Sequence, residues 1–194
     1  LTDEEYYQSL ELTQLTTLLK DYEEVKVLKL LETFTCSINE DLQNFLHNKN
    51  KAIRLEKSHV TRTYLYTAIT ENNNPVIVGY FTISLKVLET NGLSKSIIKK
   101  LDGIDKARKH IPCYLIAQLG KSTNCSSKIG QFMLDESIET IKETNSIIGG
   151  RFIILDSVNQ EKVISFYEKE PNSFILLDEK DKSKENLKMY YPLI

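Results

Sequence analysis

The sequence predicts an α/β or α+β fold. Three observations carry that prediction: a hairpin pattern between residues 61 and 88, a nearly continuous apolar run from Ile111 to Leu119, and strand–helix–strand alternation after it. The elements follow the order β–α–β–β–(α)–β–loop–α–β–α–β–β.

Residues 3–21 place Leu12, Leu15, Leu18 and Leu19 at helical spacing, with Thr2 or Asp3 as N-cap, and predict an amphipathic helix. Val25, Val27, Leu28, Leu30, Leu31 and Phe34 alternate within 24–35 and predict a strand there, with helix open for its first half. Asn39 opens a short helix over 39–47 with Leu42, Phe45 and Leu46 on one face. Thr61 to Thr70 and Val76 to Leu88 read as two strands joined by the turn Asn72-Asn73-Asn74-Pro75. Gly79 inside the second strand marks a bulge or a close backbone approach.

Ser94 to His110 reads as helix plus loop, and Ile111 to Leu119 as a strand buried on both faces. A polar stretch from Lys121 to Gly130 leads into a helix, Gln131 to Thr144, with Phe132, Met133, Ile138 and Ile141 inward. Gly149-Gly150 precedes the strand 151–156, and Asn159 to Glu170 is a second helix with Val163, Ile164, Phe166 and Tyr167 inward. Ser173 to Leu177 and Leu187 to Leu193 close the pattern as strands around a charged, solvated loop, 178–186.

The 194 residues fit one domain, 1–194, with helix 3–21 as an extension. With 41% hydrophobic and 27% charged residues the chain can bury a core, which argues against general disorder. A net charge of −2 argues against a surface built throughout for nucleic acid. No apolar run approaches the roughly 18 residues a membrane span needs, and the acidic opening Leu1-Thr2-Asp3-Glu4-Glu5 is not a secretory signal. A cytoplasmic location with no membrane partner is expected. Cys36, Cys113 and Cys125 form no Cys-x-x-Cys pair, and His47, His59 and His110 are isolated, so neither a metal site nor a disulfide framework is expected.

The chemistry concentrates in the second half. A buried strand enters a loop of small residues (Ser122, Thr123, Ser126, Ser127) that opens a helix. Unpaired N–H groups and the positive dipole end at a helix start favour an anion, and small residues let a phosphate approach the backbone. The loop lacks the Gly-Lys-Ser/Thr of a Walker motif and the glycines of a Rossmann fingerprint.

From Ile111 to Phe174 the chain resembles the GNAT superfamily of N-acetyltransferases. The residues that carry this are the strand Ile111–Lys121, the loop and helix start Cys125-Ser-Ser-Lys-Ile-Gly130-Gln-Phe-Met-Leu134, the strand Gly149–Asp156, and Phe166-Tyr167-Glu-Lys with Phe174 beyond. Val78 to Ser84 is similar to the family's third strand, so the likeness covers most of the chain. It implies a mixed, mostly antiparallel sheet with helices on both faces and a splayed parallel strand pair, 111–120 and 151–157. It also implies acetyl-CoA as co-substrate, no metal, and acetyl transfer to a primary amine by direct attack in a ternary complex.

The family's pyrophosphate loop reads Gln/Arg-x-x-Gly-x-Gly/Ala; here Cys125, Lys128 and Gly130 stand at those positions, and the last agrees. The resemblance therefore implies cofactor contacts by Leu119, Gly120 and Lys121 along the pantetheine arm. It implies further contacts by Cys125, Ser126, Ser127, Lys128, Ile129 and Gly130 at the phosphates, and by Asn159 or Gln160 at the next helix start. Most of these are main-chain contacts, and the Lys128 side chain either reaches the phosphates or points to solvent. Tyr167 matches the family tyrosine near the thioester sulfur, which implies a general acid for the leaving thiolate. Asn172-Ser173-Phe174 behind Pro171 replaces the usual Gly-Phe, so a different helix exit is expected. Glu71, Glu89, Glu136 and His110 are the candidate bases, and none is singled out.

Two features bear on the acceptor. Lys95, Lys99, Lys100, Lys106, Arg108 and Lys109 against Asp102 and Asp105 give 95–110 a net charge of +4. This is either a solvated helix face or a contact for RNA. Phe34-x-Cys36, Leu42-x-x-Phe45-Leu46, Thr61-x-Thr-Tyr-Leu65 and Val78-Gly-Tyr-Phe81 resemble the branch that includes acetyltransferase toxins of bacterial toxin–antitoxin pairs. That branch implies aminoacyl-tRNA as acceptor; small-molecule and protein amines stay open, as do a housekeeping or phage-borne relative, a degenerate GNAT-like binding module and a homodimer.

Overall fold

The structure, a computed structural model, describes residues 1–177 and 183–194. Among these the strands are β1 Glu11–Gln14, β2 Thr61–Ile69, β3 Pro75–Glu89, β4 His110–Lys121, β5 Phe152–Val158, β6 Ile175–Leu176 and β7 Asn186–Pro192. The helices are α1 Asp3–Gln8, α2 Leu15–Asp21, α3 Glu24–Leu31, α4 Glu40–His47, α5 Ala52–Lys57, α6 Lys95–Asp102, α7 Gly130–Ile148 and α8 Glu161–Glu168. The strands form one sheet in the order β1-β2-β3-β4-β5-β7-β6. It is mostly antiparallel, with β4 and β5 parallel. The backbone divides into two compact units, 1–84 with 118–140, and 85–117 with 141–194.

In the first unit the β2–β3 hairpin separates two apolar clusters. Leu65, Ile77 and Tyr80 join the cluster with Leu15, Leu31 and Leu46. Tyr66, Val78 and Phe81 join Cys125, Ile129 and Met133. Strict alternation would not put Ile77 and Tyr80 on one side, nor Val78 and Phe81 on the other. The register explains it: Tyr66 pairs with Gly79 but Thr67 pairs with Ile77, so Val78 is the extra residue of a β-bulge. Gly79 sits at that bulge, where a Cβ would meet Met133 Sδ at 2.7 Å. Both expectations for Gly79 hold.

Two expected elements are corrected. The helix over 3–21 is broken into α1, β1 and α2, because 11–14 pairs antiparallel with β2, Glu11↔Thr67 through Gln14↔Tyr64. Sheet pairing there overrides helical spacing. The strand expected in 24–35 is instead α3: Val25 is 65% exposed while Val27 and Leu31, four apart, are buried. The alternation at Val25 and Val27 misled because only one of the two is in the core. Helix α5 falls where the sequence pattern suggested no element.

Other starts are as expected. Asn39 Oδ1 caps α4 by accepting from Asp41 and Leu42 N–H, and Thr2 with Glu5 forms a capping box on α1. In the second unit Ser94 caps α6. Its apolar core gathers Leu88, Ile98, Leu101, Ile111, Phe152 and Ile154. Of the charged loop 178–186, residues 178–182 lie outside the described residues, and 183–186 are exposed.

Candidate active site

Strand β4 ends at Leu119-Gly120-Lys121, and each residue there is fixed by a neighbour within the first unit. Leu119 packs against the Tyr66–Met133 cluster. Gly120 is buried, and a Cβ on it would approach Leu42 Cδ1 to 2.9 Å, so it packs closely against α4. The Lys121 ammonium donates to the Cys125 carbonyl.

The loop is braced from below. Ser122 is buried; its N–H donates to Val78 C=O at 2.8 Å and its Oγ lies 3.1 Å from Thr35 Oγ1. Thr123 N–H reaches Thr35 C=O at 2.8 Å. Cys125 and Ile129 are 5% and 0% exposed, and their N–H groups donate to Ser122 and Ser127 C=O at 3.1 Å, so both residues anchor the loop to the core. Cys125 thus serves as an apolar anchor, a role the sequence pattern did not reveal. Ser126 and Lys128 are exposed, Ser127 and Gly130 half-buried. Open space surrounds the Cβ position of Gly130, and the first turn of α7 carries no carboxylate. This donor set fits a phosphate: exposed small residues before the positive end of a 19-residue helix.

One contact was not legible in the sequence. The Lys128 N–H donates to Asp3 Oδ1 at 2.8 Å, across 125 residues. Helix α1 brings Asp3 there through Tyr7, whose ring stacks on Phe132 at 4.9 Å and whose hydroxyl lies 3.0 Å from that of Tyr66.

In the second unit the parallel ladder covers Tyr114↔Ile153 and Leu115↔Ile154; Ile116 and Ala117 on β4, and Leu155 and Asp156 on β5, continue beyond it. This is the parallel pair. On α8, Tyr167 lies edge-on to Phe166 at 5.1 Å and to Phe174 at 5.6 Å. Burial pushes its phenol up to about 12, so it holds its proton at neutral pH. At the exit from α8, Ser173 takes the left-handed φ of 53°, and Phe174 N–H returns to Tyr167 C=O at 2.8 Å. Asn159 is engaged by its own unit, its Nδ2 donating to Lys184 C=O at 2.8 Å. Of the candidate bases, Glu71, Glu89 and His110 are exposed and Glu136 is half-buried. Among the described residues no group of three or more His, Cys, Asp and Glu is placed to hold a metal, and no helix is long and apolar enough to cross a membrane.

The sheet order, the short parallel ladder and the β4–loop–α7 passage make up a mixed α/β fold that the chain shares with solved structures. Its neighbours among solved structures include AtaT complexed with acetyl-methionyl-tRNAfMet, 22% identical over 94% of each chain with a TM-score of 0.67. A tyrosine-to-phenylalanine variant of KacT is 20% identical over 95% of each chain, TM-score 0.68. A tyrosine-to-phenylalanine variant of the AtaT toxin, bound to acetyl-CoA and the C-terminus of the antitoxin AtaR, is 18% identical over 95% of this chain and 93% of that one, TM-score 0.66. At such identities the likeness establishes the fold. No protein-family model and no curated protein matches the sequence.

Proposed function

We propose that the chain is an acetyl-CoA-dependent N-acetyltransferase. The observation that carries this reading is the fold match to AtaT with acetyl-methionyl-tRNAfMet, which spans 94% of both chains. Acetyl-CoA supplies an activated acetyl thioester. The main chain of Leu119, Gly120 and Lys121 accepts its pantetheine arm in the manner of an added strand. In the loop that Cys125 and Ile129 anchor to the core, the main chain of Ser126, Ser127, Lys128 and Gly130 takes its phosphates, and Asn159 contributes at the start of α8. The acceptor amine attacks the acetyl carbonyl, a C–N bond forms as the C–S bond breaks, and the amine proton leaves to solvent or a base. Tyr167 gives its phenolic proton to the departing thiolate.

The acceptor we favour is the amino group of an aminoacyl-tRNA. All six cations of 95–109 are exposed on α6 and the segment after it, a surface that suits a polyanion. An antitoxin partner belongs to the same reading, and the cytoplasm is where it would act. Calorimetric titration with acetyl-CoA tests the core of the proposal; no binding at millimolar ligand would sink it. Incubation with labelled acetyl-CoA and charged tRNA tests the acceptor: label remaining out of the RNA, while a simple amine is acetylated, would leave an enzyme of another substrate.

A further inference from the structure

We propose that α1 is a built-in competitor for the anion site of the loop: the Asp3 carboxylate occupies the place of a ligand phosphate on the Lys128 amide. The inference rests on the reading of 125–130 as the phosphate-binding loop.

Asp3 Oδ1 accepts from Lys128 N–H at 2.8 Å. That amide stands at the family's first loop glycine, among those a phosphate would use. A carboxylate and a phosphate oxygen are alternative acceptors for one N–H, so the two cannot be bound there together. The competitor is also removable. Helix α1 has six residues and buries none of them, so it holds little structure by itself. It is docked by Tyr7, through the stack on Phe132 in the first turn of α7 and the hydroxyl contact with Tyr66, and by Tyr6 against Cys125. Elements with few buried contacts open locally at low cost. The loop therefore exists in a closed state with Asp3 seated and an open state that takes the anion, and the ligand's apparent affinity is scaled by the open fraction.

The test uses the full chain and Asp3→Asn, titrated separately with inorganic pyrophosphate and with coenzyme A. The Lys128 amide is followed by NMR and the heat by calorimetry. Asn at this position keeps the Thr2–Glu5 capping box but weakens the acceptor. Tightening of both ligands by roughly three- to ten-fold is expected as the closed state is depopulated. Tyr7→Ala, which undocks α1 and so lifts the unaltered Asp3 carboxylate off the Lys128 amide, should act in the same direction. Equal or weaker binding by Asp3→Asn overturns the inference, since a carboxylate that merely orders the loop would give that result. Equal coenzyme A binding by the two proteins overturns it while acetyl-CoA binding stands. Tighter pyrophosphate at Lys128 with no coenzyme A bound by any variant supports the competitor and removes the coenzyme reading. No response of the Lys128 amide to either ligand overturns it.

Discussion

The carboxylate of Glu56 accepts a 2.8 Å hydrogen bond from the main-chain N–H of Thr63, with 2% of the residue exposed. The Thr16 hydroxyl donates to its other oxygen, and the Arg62 guanidinium lies 3.5 Å away. One carboxylate thus joins α2, α5 and β2. Removing it by Glu56→Ala strands buried donors and should cost about 1–3 kcal/mol of stability, read as a lower denaturation midpoint at unchanged slope.

Burial raises the Glu56 pKa, with the Thr16 and Thr63 hydrogen bonds, Arg62 and His59 opposing it. A carboxyl raised on folding contributes stability that is present in acid and lost as pH rises through its folded value. Glu56→Gln should therefore flatten the pH dependence of unfolding just above the ordinary carboxylate range. An unchanged profile would show that Glu56 does not titrate differently in the folded chain.

A methyl group on Gly79 would lie 2.7 Å from Met133 Sδ, so the buried Met133 side chain would have to shift. Gly79→Ala should cost about 1–3 kcal/mol by overpacking. Met133→Ala in the same chain should recover part of that loss, a coupling that a double-mutant cycle on melting data would measure.

Tyr167→Phe should fold normally, since its ring contacts are apolar and no hydrogen bond engages its hydroxyl among the described residues. If the phenol protonates the thiolate, kcat for acetyl transfer should fall by about 100-fold or more with little change in acetyl-CoA affinity. Because burial lifts this phenol to about 12, the wild-type rate should show no alkaline decline from tyrosine near pH 10. A decline there, persisting in Tyr167→Phe, would assign that ionisation to another group.

The cations of the α6 segment are not equivalent. Arg108 pairs with Asp102 at 2.8 Å, and Lys100 lies over the Tyr190 ring at 5.8 Å. Replacing Lys95, Lys99, Lys106 and Lys109 with Gln should weaken tRNA binding and flatten its salt dependence. Each lost phosphate contact should reduce the log–log slope by roughly 0.7–0.9. An unchanged slope would mark this as a solvated face.

Elements whose reasons are local were legible in the sequence. The Asn72–Pro75 turn, the Asn39 cap of α4 and the apolar face of α7 each rest on neighbouring residues, and the structure keeps all three. The β4–loop–α7–β5–α8 series could be aligned with a family pattern because its spacing is set by the fold. What failed depended on distant partners. Residues 11–14 became a strand because β2 offered a free edge, and 24–31 became a helix because Val27 and Leu31 found a core while Val25 did not. The same holds for the candidate site. The sequence marked loop 125–130 by its small residues and helix start, but gave no sign that Cys125 turns inward or that Asp3 lies on the Lys128 amide. Backbone preferences and periodicity act over a few residues; which acceptor meets a given N–H is decided only when the chain has closed over 125 residues.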